Sequence, residues 1–343
     1  MNDIEINKEE VTELFEAAKS FSSIKPWGWL GETEIFGVKL PEQEEKLFCS
    51  VVGKSADGFG IKVYKGAPGI DSYFKLLNKG YDLEDEIIHI SKAYEVKFED
   101  RRAISKEDYE LIKSSDVIFR GKNQWPKFLN LEPGFLPKRL NREELLLMTN
   151  ILKVVKDCCL FLKDNEDMAT LSRKNKCYVR EYKTDGSFKE TIIVYEDLFK
   201  NWNKGRVIPK IYNNFDISRL KSIAKASDVT WEMDFFYSLV TEDKQPYFPG
   251  IMMIVDGSKG SIIGTHTTDP DNIMEKFQSY FLSFIDKNKV LPSQISISNL
   301  DLLMSVEDLC KQLGINVRPV RKLRLIPGLK REYYKLLVDK QLI

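Results

Sequence analysis

From Val229 to the C-terminus the hydrophobic periodicity changes in one order, and that order restricts the fold more than any other feature of the chain. Val229–Tyr237, Gly250–Val255 and Ser261–His266 are short runs rich in β-branched, aromatic and other apolar residues, separated by a loop containing Pro246 and by the turn Asp256-Gly257-Ser258-Lys259-Gly260. They predict an antiparallel meander of three strands. Asp269 followed by Pro270 supplies an N-cap and a first-turn proline, and Ile273, Phe277, Phe281 and Phe284 then form one apolar stripe, so a helix is expected to about Asp286. Gln294–Ser298 reads as a short strand. Ser305 reads as the cap of a helix carrying Val306, Leu309, Cys310 and Leu313, with Gly314 as its C′ glycine. Ile315–Val320 is the last strand, and after Pro327-Gly328 the residues Leu329, Tyr333, Leu336 and Leu337 mark a terminal helix.

The preceding residues alternate strands and helices without a repeat. Val11, Leu14, Phe15 and Ala18 give Glu9–Phe21 the stripe of a surface helix, and Leu47–Val52 with Phe59–Tyr64 form a hairpin around Asp57-Gly58. Pro68-Gly69 opens a short helix, Glu86–Phe98 reads as a long strand, and Ser105 with Asp108 starts a helix to Ile112. The segment from Phe119-Arg120-Gly121 through Trp125-Pro126 to Pro137 is dense in turn formers and is expected to be a constrained loop. Asn141 and Glu144 make a capping box, and the apolar residues between Leu145 and Leu162 cover nearly all faces of the helix that follows. Such a helix must be buried, and a role joining two halves of the chain is expected. Cys177–Tyr182 and Thr191–Tyr195 flank Asp185-Gly186 as a second hairpin. The layout is therefore an α+β protein with an N-terminal mixed α+β domain at 1–138, a bridging helix and β-hairpin at 139–225, and a C-terminal domain at 226–343.

A length of 343 residues exceeds one ordinary core, in keeping with two domains. Lys and Arg total 52 and Asp and Glu total 52, so no global field draws the chain to nucleic acid or to an anionic membrane, and any basic surface is local. The cysteines, Cys49, Cys158, Cys159, Cys177 and Cys310, are odd in number and lack CxxC spacing, which fits a reducing cytoplasm better than a disulfide framework. Met1–Glu10 is acidic, and no apolar run approaches the roughly 18 residues of a membrane span. A soluble cytoplasmic protein without a membrane partner is expected. Gly53-Lys54-Ser55 lacks the first glycine of a phosphate loop, and His89 and His266 fall in different expected domains, so neither nucleotide binding nor a histidine-based site has support.

Three antiparallel strands followed by helix, strand, helix, strand, helix is the order of the ribonuclease H-like fold, and the details resemble its integrase and transposase branch. The residues that carry the resemblance are Trp231-Glu232-Met233-Asp234, Val255-Asp256 and Ile262-Ile263-Gly264, in about the last third of the chain. The whole chain also resembles a bacterial two-domain family known only as domains of unknown function, through Phe119-Arg120-Gly121 to Trp125-Pro126, Pro133-Gly134, Trp231–Asp234, Tyr247-Phe248-Pro249 and the hairpin from Val255-Asp256 to Gly264.

The integrase resemblance implies a site of carboxylates from the first strand, the end of the fourth strand and the last helix, holding two Mg²⁺ ions about 4 Å apart. Asp234 takes the first position, and strand alternation puts Glu232 on its face. At the end of the fourth strand, however, the family's Ser-Asp is Ser298-Asn299. Asp301 lies two residues on as a substitute metal ligand, and Glu332 stands at the spacing of the third acid. With a neutral amide in the second position, the expected function is a non-catalytic binding or interaction module on a degenerate ribonuclease H-like fold, with no cofactor. The alternative is a Mg²⁺-dependent phosphodiester hydrolase with Asp234, Glu232 and Glu332 as catalytic residues and Asp234 and Asp301 as metal ligands. Arg318, Arg321, Lys322 and Arg324 form the sharpest local charge; they read either as a nucleic-acid-binding surface or as a solvated strand edge, and the partner class is protein or nucleic acid.

Overall fold

Strands that bury alternate residues on opposite faces build two sheets, each flanked by helices, in a computed structural model that describes residues 7–53, 58–79, 90–241 and 246–339. The chain divides into two units. The first takes in Ile90–Glu132, Pro137–Gly205 and the described residues before Asp82; the second takes in Pro133–Leu136 and the described residues of Arg206–Ile343.

The first unit holds a seven-stranded sheet in the order β5-β4-β3-β2-β1-β6-β7, made of β1 (Phe36–Lys39), β2 (Leu47–Val52), β3 (Phe59–Lys65), β4 (Ala93–Glu99), β5 (Trp125–Leu131), β6 (Lys176–Tyr182) and β7 (Phe188–Val194). Only β1 and β6 run parallel. One face, with Val38, Cys49, Val51, Ile61, Val63 and Val96, is covered by α1 (Lys8–Ser23), α3 (Lys106–Ser114) and α4 (Arg142–Asp164). The other, with Phe48, Tyr64 and Val179, meets α2 (Gly66–Lys79) and α5 (Tyr195–Gly205).

Several local expectations hold. The Asn141 side chain accepts the Glu144 N–H while Glu144 accepts that of Asn141, closing the capping box of α4. Ser105 caps α3, and Gly186 (φ +80°) turns the second hairpin. Others are corrected. Trp125-Pro126 opens strand β5 rather than a loop; β5 is an outer strand, where a proline costs no ladder bond. Strand β4 begins at Ala93, later than the Glu86 expected; residues 86–89, His89 among them, lie outside the described residues, as do Lys54, Ser55 and Asp57. The expected bridging segment does not stand apart. Met148, Ile151, Leu152, Val155 and Cys159 place α4 in the first unit's core against α1, and β6-β7 complete its sheet, so residues to Gly205 cluster there.

The second unit holds a five-stranded sheet in the order β10-β9-β8-β11-β12, from β8 (Lys225–Tyr237), β9 (Gly250–Asp256), β10 (Ile262–Thr268), β11 (Val290–Ile297) and β12 (Asn316–Pro319). The first three are antiparallel, and β8-β11 and β11-β12 are parallel. After α6 (Asn214–Ile223) the elements run βββαβαβα, with α7 (Ile273–Asn288), α8 (Leu300–Leu313) and α9 (Ile326–Asp339), which is the ribonuclease H-like arrangement. Trp231, Met233, Met252, Ile254, Ile295 and Ile297 face α6, α7 and α8, where Phe277 and Phe281 are fully buried. Burying each such side chain contributes about 1.5–3 kcal/mol. Phe236, Ile251, Met253 and Val255 face α9 through Ile326 and Tyr334.

Two caps differ from expectation. Helix α7 starts at Ile273, after Asn272 in left-handed conformation, so Asp269 caps only the turn before it, accepting the Asp271 N–H while it pairs with the Lys276 ammonium. Helix α8 is capped by Asn299; Ser305 is buried inside it and donates to the Leu302 carbonyl. Gly314 (φ +77°) ends α8 as expected. No helix among the described residues is long and apolar enough to cross a membrane.

Candidate functional site

Strand β8 sends Trp231 and Met233 into the core and turns Glu232, Asp234 and Phe236 toward the α9 side of the sheet. Register then aligns polar residues across three strands. Glu232 lies opposite Ser296, and Ser296 opposite Arg318; one row back, Thr230 lies opposite Gln294 and Gln294 opposite Asn316.

Glu232 is 7% exposed, and both its oxygens are engaged. Oε1 accepts the Arg324 N–H at 3.1 Å, while Oε2 accepts the N–H groups of Leu325 at 2.8 Å and Ile326 at 3.2 Å. These are the donors at the start of α9, which a helix cannot satisfy internally. Glu232 therefore caps α9 from another strand, and its charge lies at the positive end of the helix dipole. Sequence reasoning missed this role, although a signal was present: Val320–Ile326 contains no Ser, Thr, Asp or Asn, so the cap had to come from elsewhere.

The other acids are held separately. Asp234 is half-buried, and its Oδ2 accepts the Ser298 hydroxyl at 3.2 Å. Asn299 Oδ1 accepts the N–H groups of Asp301 at 2.9 Å and Leu302 at 3.1 Å, the bonds of an N-cap. Asp301 is ion-paired with Arg206, and Glu332 is exposed on α9. Asp256, the acid of the Val255-Asp256 pair, closes the β9-β10 turn; the N–H groups of Lys259 and Ser258 hold its carboxyl below the usual range. The structure thus puts Glu232 and Asp234 on one face and sets Asp234 beside Ser298. Among the described residues, no group of three or more His, Cys, Asp or Glu is placed to hold a metal ion.

This donor set does not fit a Mg²⁺ pair. Mg²⁺ takes near-octahedral oxygen ligands, with carboxylates free to bind it. Glu232 would first have to release three backbone donors, and Asn299 would have to uncap α8.

The basic residues are more nearly assembled. Arg318, Lys322 and Arg324 line a cleft of about 270 Å³ together with Thr230, Glu232 and Ser296. Arg324 also donates to the Gly257 carbonyl. Arg321 is exposed and does not line the cleft.

Residues 12–180 match the domain of unknown function DUF7309, and residues 216–334 match the domain of unknown function DUF6930. No curated protein sequence matches the chain. Among solved structures, the catalytic core domain of BIV integrase matches at 16% identity with a TM-score of 0.25, over 34% of this chain and 72% of that one. The Mos1 strand transfer complex matches at 14% identity with a TM-score of 0.18, over 43% of this chain and 56% of that one. The chain is thus similar, in tandem, to two domains of unknown function, DUF7309 followed by DUF6930, the second match falling on the ribonuclease H-like sheet.

Proposed function

We propose that the C-terminal domain is a non-catalytic binding module that keeps the ribonuclease H-like sheet and meets an anionic partner at the cleft lined by Arg318, Lys322 and Arg324. The observation that carries this reading is the engagement of Glu232 by the N–H groups of residues 324–326, which gives the strand's inner acid a structural task. Asn299, at the position of a second catalytic acid, is likewise an N-cap. The setting is a reducing cytoplasm, in keeping with five buried free thiols.

The test is a titration of the full chain with Mg²⁺ and Mn²⁺ by calorimetry, alongside cleavage assays on single-stranded and duplex DNA and RNA. Neither saturable metal binding nor cleavage is expected. Metal-dependent cleavage that disappears in Asp234→Asn would overturn the reading in favour of a Mg²⁺-dependent phosphodiester hydrolase using Asp234, Glu232 and Glu332.

A further inference from the structure

The cleft beside Glu232 has the composition of an anion site. Its floor is the polar row set by strand register, with Ser296 between Glu232 and Arg318 and with Thr230 one row back. Lys322 and Arg324 reach it from the connection between β12 and α9. Three cations and one carboxylate leave a net charge of +2 on these side chains. The carboxylate forms no ion pair with these cations among the described residues, and its oxygens accept backbone N–H groups instead.

The cations are also available. In the same domain Arg206, Lys210, Arg219, Lys276 and Lys289 each pair with an aspartate. Among the described residues, Arg318 and Lys322 are exposed and have no such partner, and the hydroxyls of Thr230 and Ser296 have no hydrogen bond to another protein group. Leaving charged and hydroxyl donors together without acceptors is what a site for an oxyanion requires.

Edge chemistry argues against a peptide strand as the occupant. Val320 donates its N–H to Ile297 on β11, so by alternation Val317 and Pro319 face outward on the free side of β12. Pro319 has no N–H, which leaves this edge poor in the donors that an added strand would need. Recognition here is by side chains.

We propose that this cleft binds a phosphomonoester. A phosphomonoester carries about −1.5 to −2 charge at pH 7 and three acceptor oxygens, which match the +2 balance and the donors of Arg318, Lys322, Ser296 and Thr230. The volume of about 270 Å³ admits one compact group and no duplex. The same chemistry is offered by a free mononucleotide and by the 5′-phosphate at the end of a nucleic-acid strand. The inference rests on the reading of this domain as a binder: the phosphate is held and not transferred. It also lies apart from the carboxylate positions of the integrase resemblance, since Asp234, Asn299, Asp301 and Glu332 do not line the cleft.

The experiment is calorimetric titration of the full chain with inorganic phosphate, with thymidine 5′-monophosphate, and with oligothymidylate carrying either a 5′-phosphate or a 5′-hydroxyl. Saturable binding of the monophosphate is expected. Arg318→Gln and Lys322→Gln should each weaken it about tenfold or more, whereas Arg321→Gln should change it less than about twofold. Near-UV circular dichroism checks that each variant is folded. Tighter binding of the 5′-phosphorylated strand than of the mononucleotide assigns the ligand to strand ends; the reverse order assigns it to free phosphomonoesters. The site is refuted if no phosphate probe saturates, if both oligonucleotides bind more tightly than the monophosphate and equally to each other, or if Arg321→Gln weakens binding as much as Arg318→Gln, which is the mark of diffuse polyanion attraction. Absence of binding without cleavage refutes the site alone, whereas cleavage of an oligonucleotide with the monophosphate still bound refutes the binding-module reading alone.

Discussion

Leu325 donates its backbone N–H to the Glu232 carboxylate at 2.8 Å across 93 positions of sequence. Helix α9 begins where it does because this acid waits on the neighbouring sheet, and the bond separates a structural carboxylate from a catalytic one. Removing a buried acceptor strands its donors at about 1–3 kcal/mol. Glu232→Ala should therefore destabilise the domain by about 2–4 kcal/mol, and Glu232→Gln by less, because one acceptor remains. Urea unfolding followed at the Trp231 indole resonance measures both. An unchanged or raised midpoint in Glu232→Ala would show that the acid is held there for chemistry, at the expense of stability.

Asn299 gives the converse test. Asp caps a helix as well as Asn does, so Asn299→Asp should leave stability within about 0.5 kcal/mol of the parent, whereas Asn299→Ala should cost about 1 kcal/mol. Asn299→Asp also restores the acid that the integrase resemblance calls for. Because Glu232 stays committed to α9, calorimetry with Mg²⁺ should still show no saturable binding.

Asp308 sets an acid limit. The Lys210 ammonium, the Tyr212 hydroxyl and the Gln312 amide all bond its carboxylate, and they hold its pKa down to about 2. A depressed folded-state value means that the contribution to stability is fully present above the ordinary aspartate value of about 3.9 and is lost as pH falls through about 2. Thermal midpoints collected between those limits should fall more steeply for the parent than for Asp308→Asn. Parallel slopes would show that these bonds do not persist in solution.

The first unit is tested at Gly60 on β3, where an added Cβ would lie 2.1 Å from the Val96 carbonyl oxygen of β4. That oxygen belongs to the ladder and cannot turn aside. Gly60→Ala should destabilise by about 1–3 kcal/mol in urea unfolding. A neutral outcome would mean that β3 and β4 are spaced more widely in solution.

Elements that announce themselves by local periodicity were legible in the chain: the β8-β9-β10 meander, the capping box at Asn141, the glycine stop at Gly314 and the stripe of Phe277 and Phe281. Misreadings arose where a distant partner decides the outcome. Trp125-Pro126 looks like a turn until β4 supplies a neighbour. The apolar residues of α4 cover nearly all faces because α1 and a wide sheet both pack on it, and periodicity alone cannot tell that from a bridge between domains. Asp269 does bond the Asp271 N–H as a local cap would, but the chain turns through left-handed Asn272 before the helix begins at Ile273. At the candidate site, alternation correctly put Glu232 and Asp234 on one face. The three donors that occupy Glu232 come from residues 324–326, and no spacing rule connects them to residue 232.

Strand β8 receives its two neighbours at very different times. It pairs with β9, which begins at Gly250, but its other edge pairs with β11, which begins only at Val290. On a ribosome adding roughly 5–20 residues per second, the meander is complete a few seconds before β11 emerges. Through that interval the central strand of the finished sheet is an open edge, with Trp231 and Met233 exposed to any other unfinished chain. The domain is therefore most vulnerable to aggregation during translation, and slower decoding of residues 270–297 should lower its soluble yield without changing the stability of the molecules that fold.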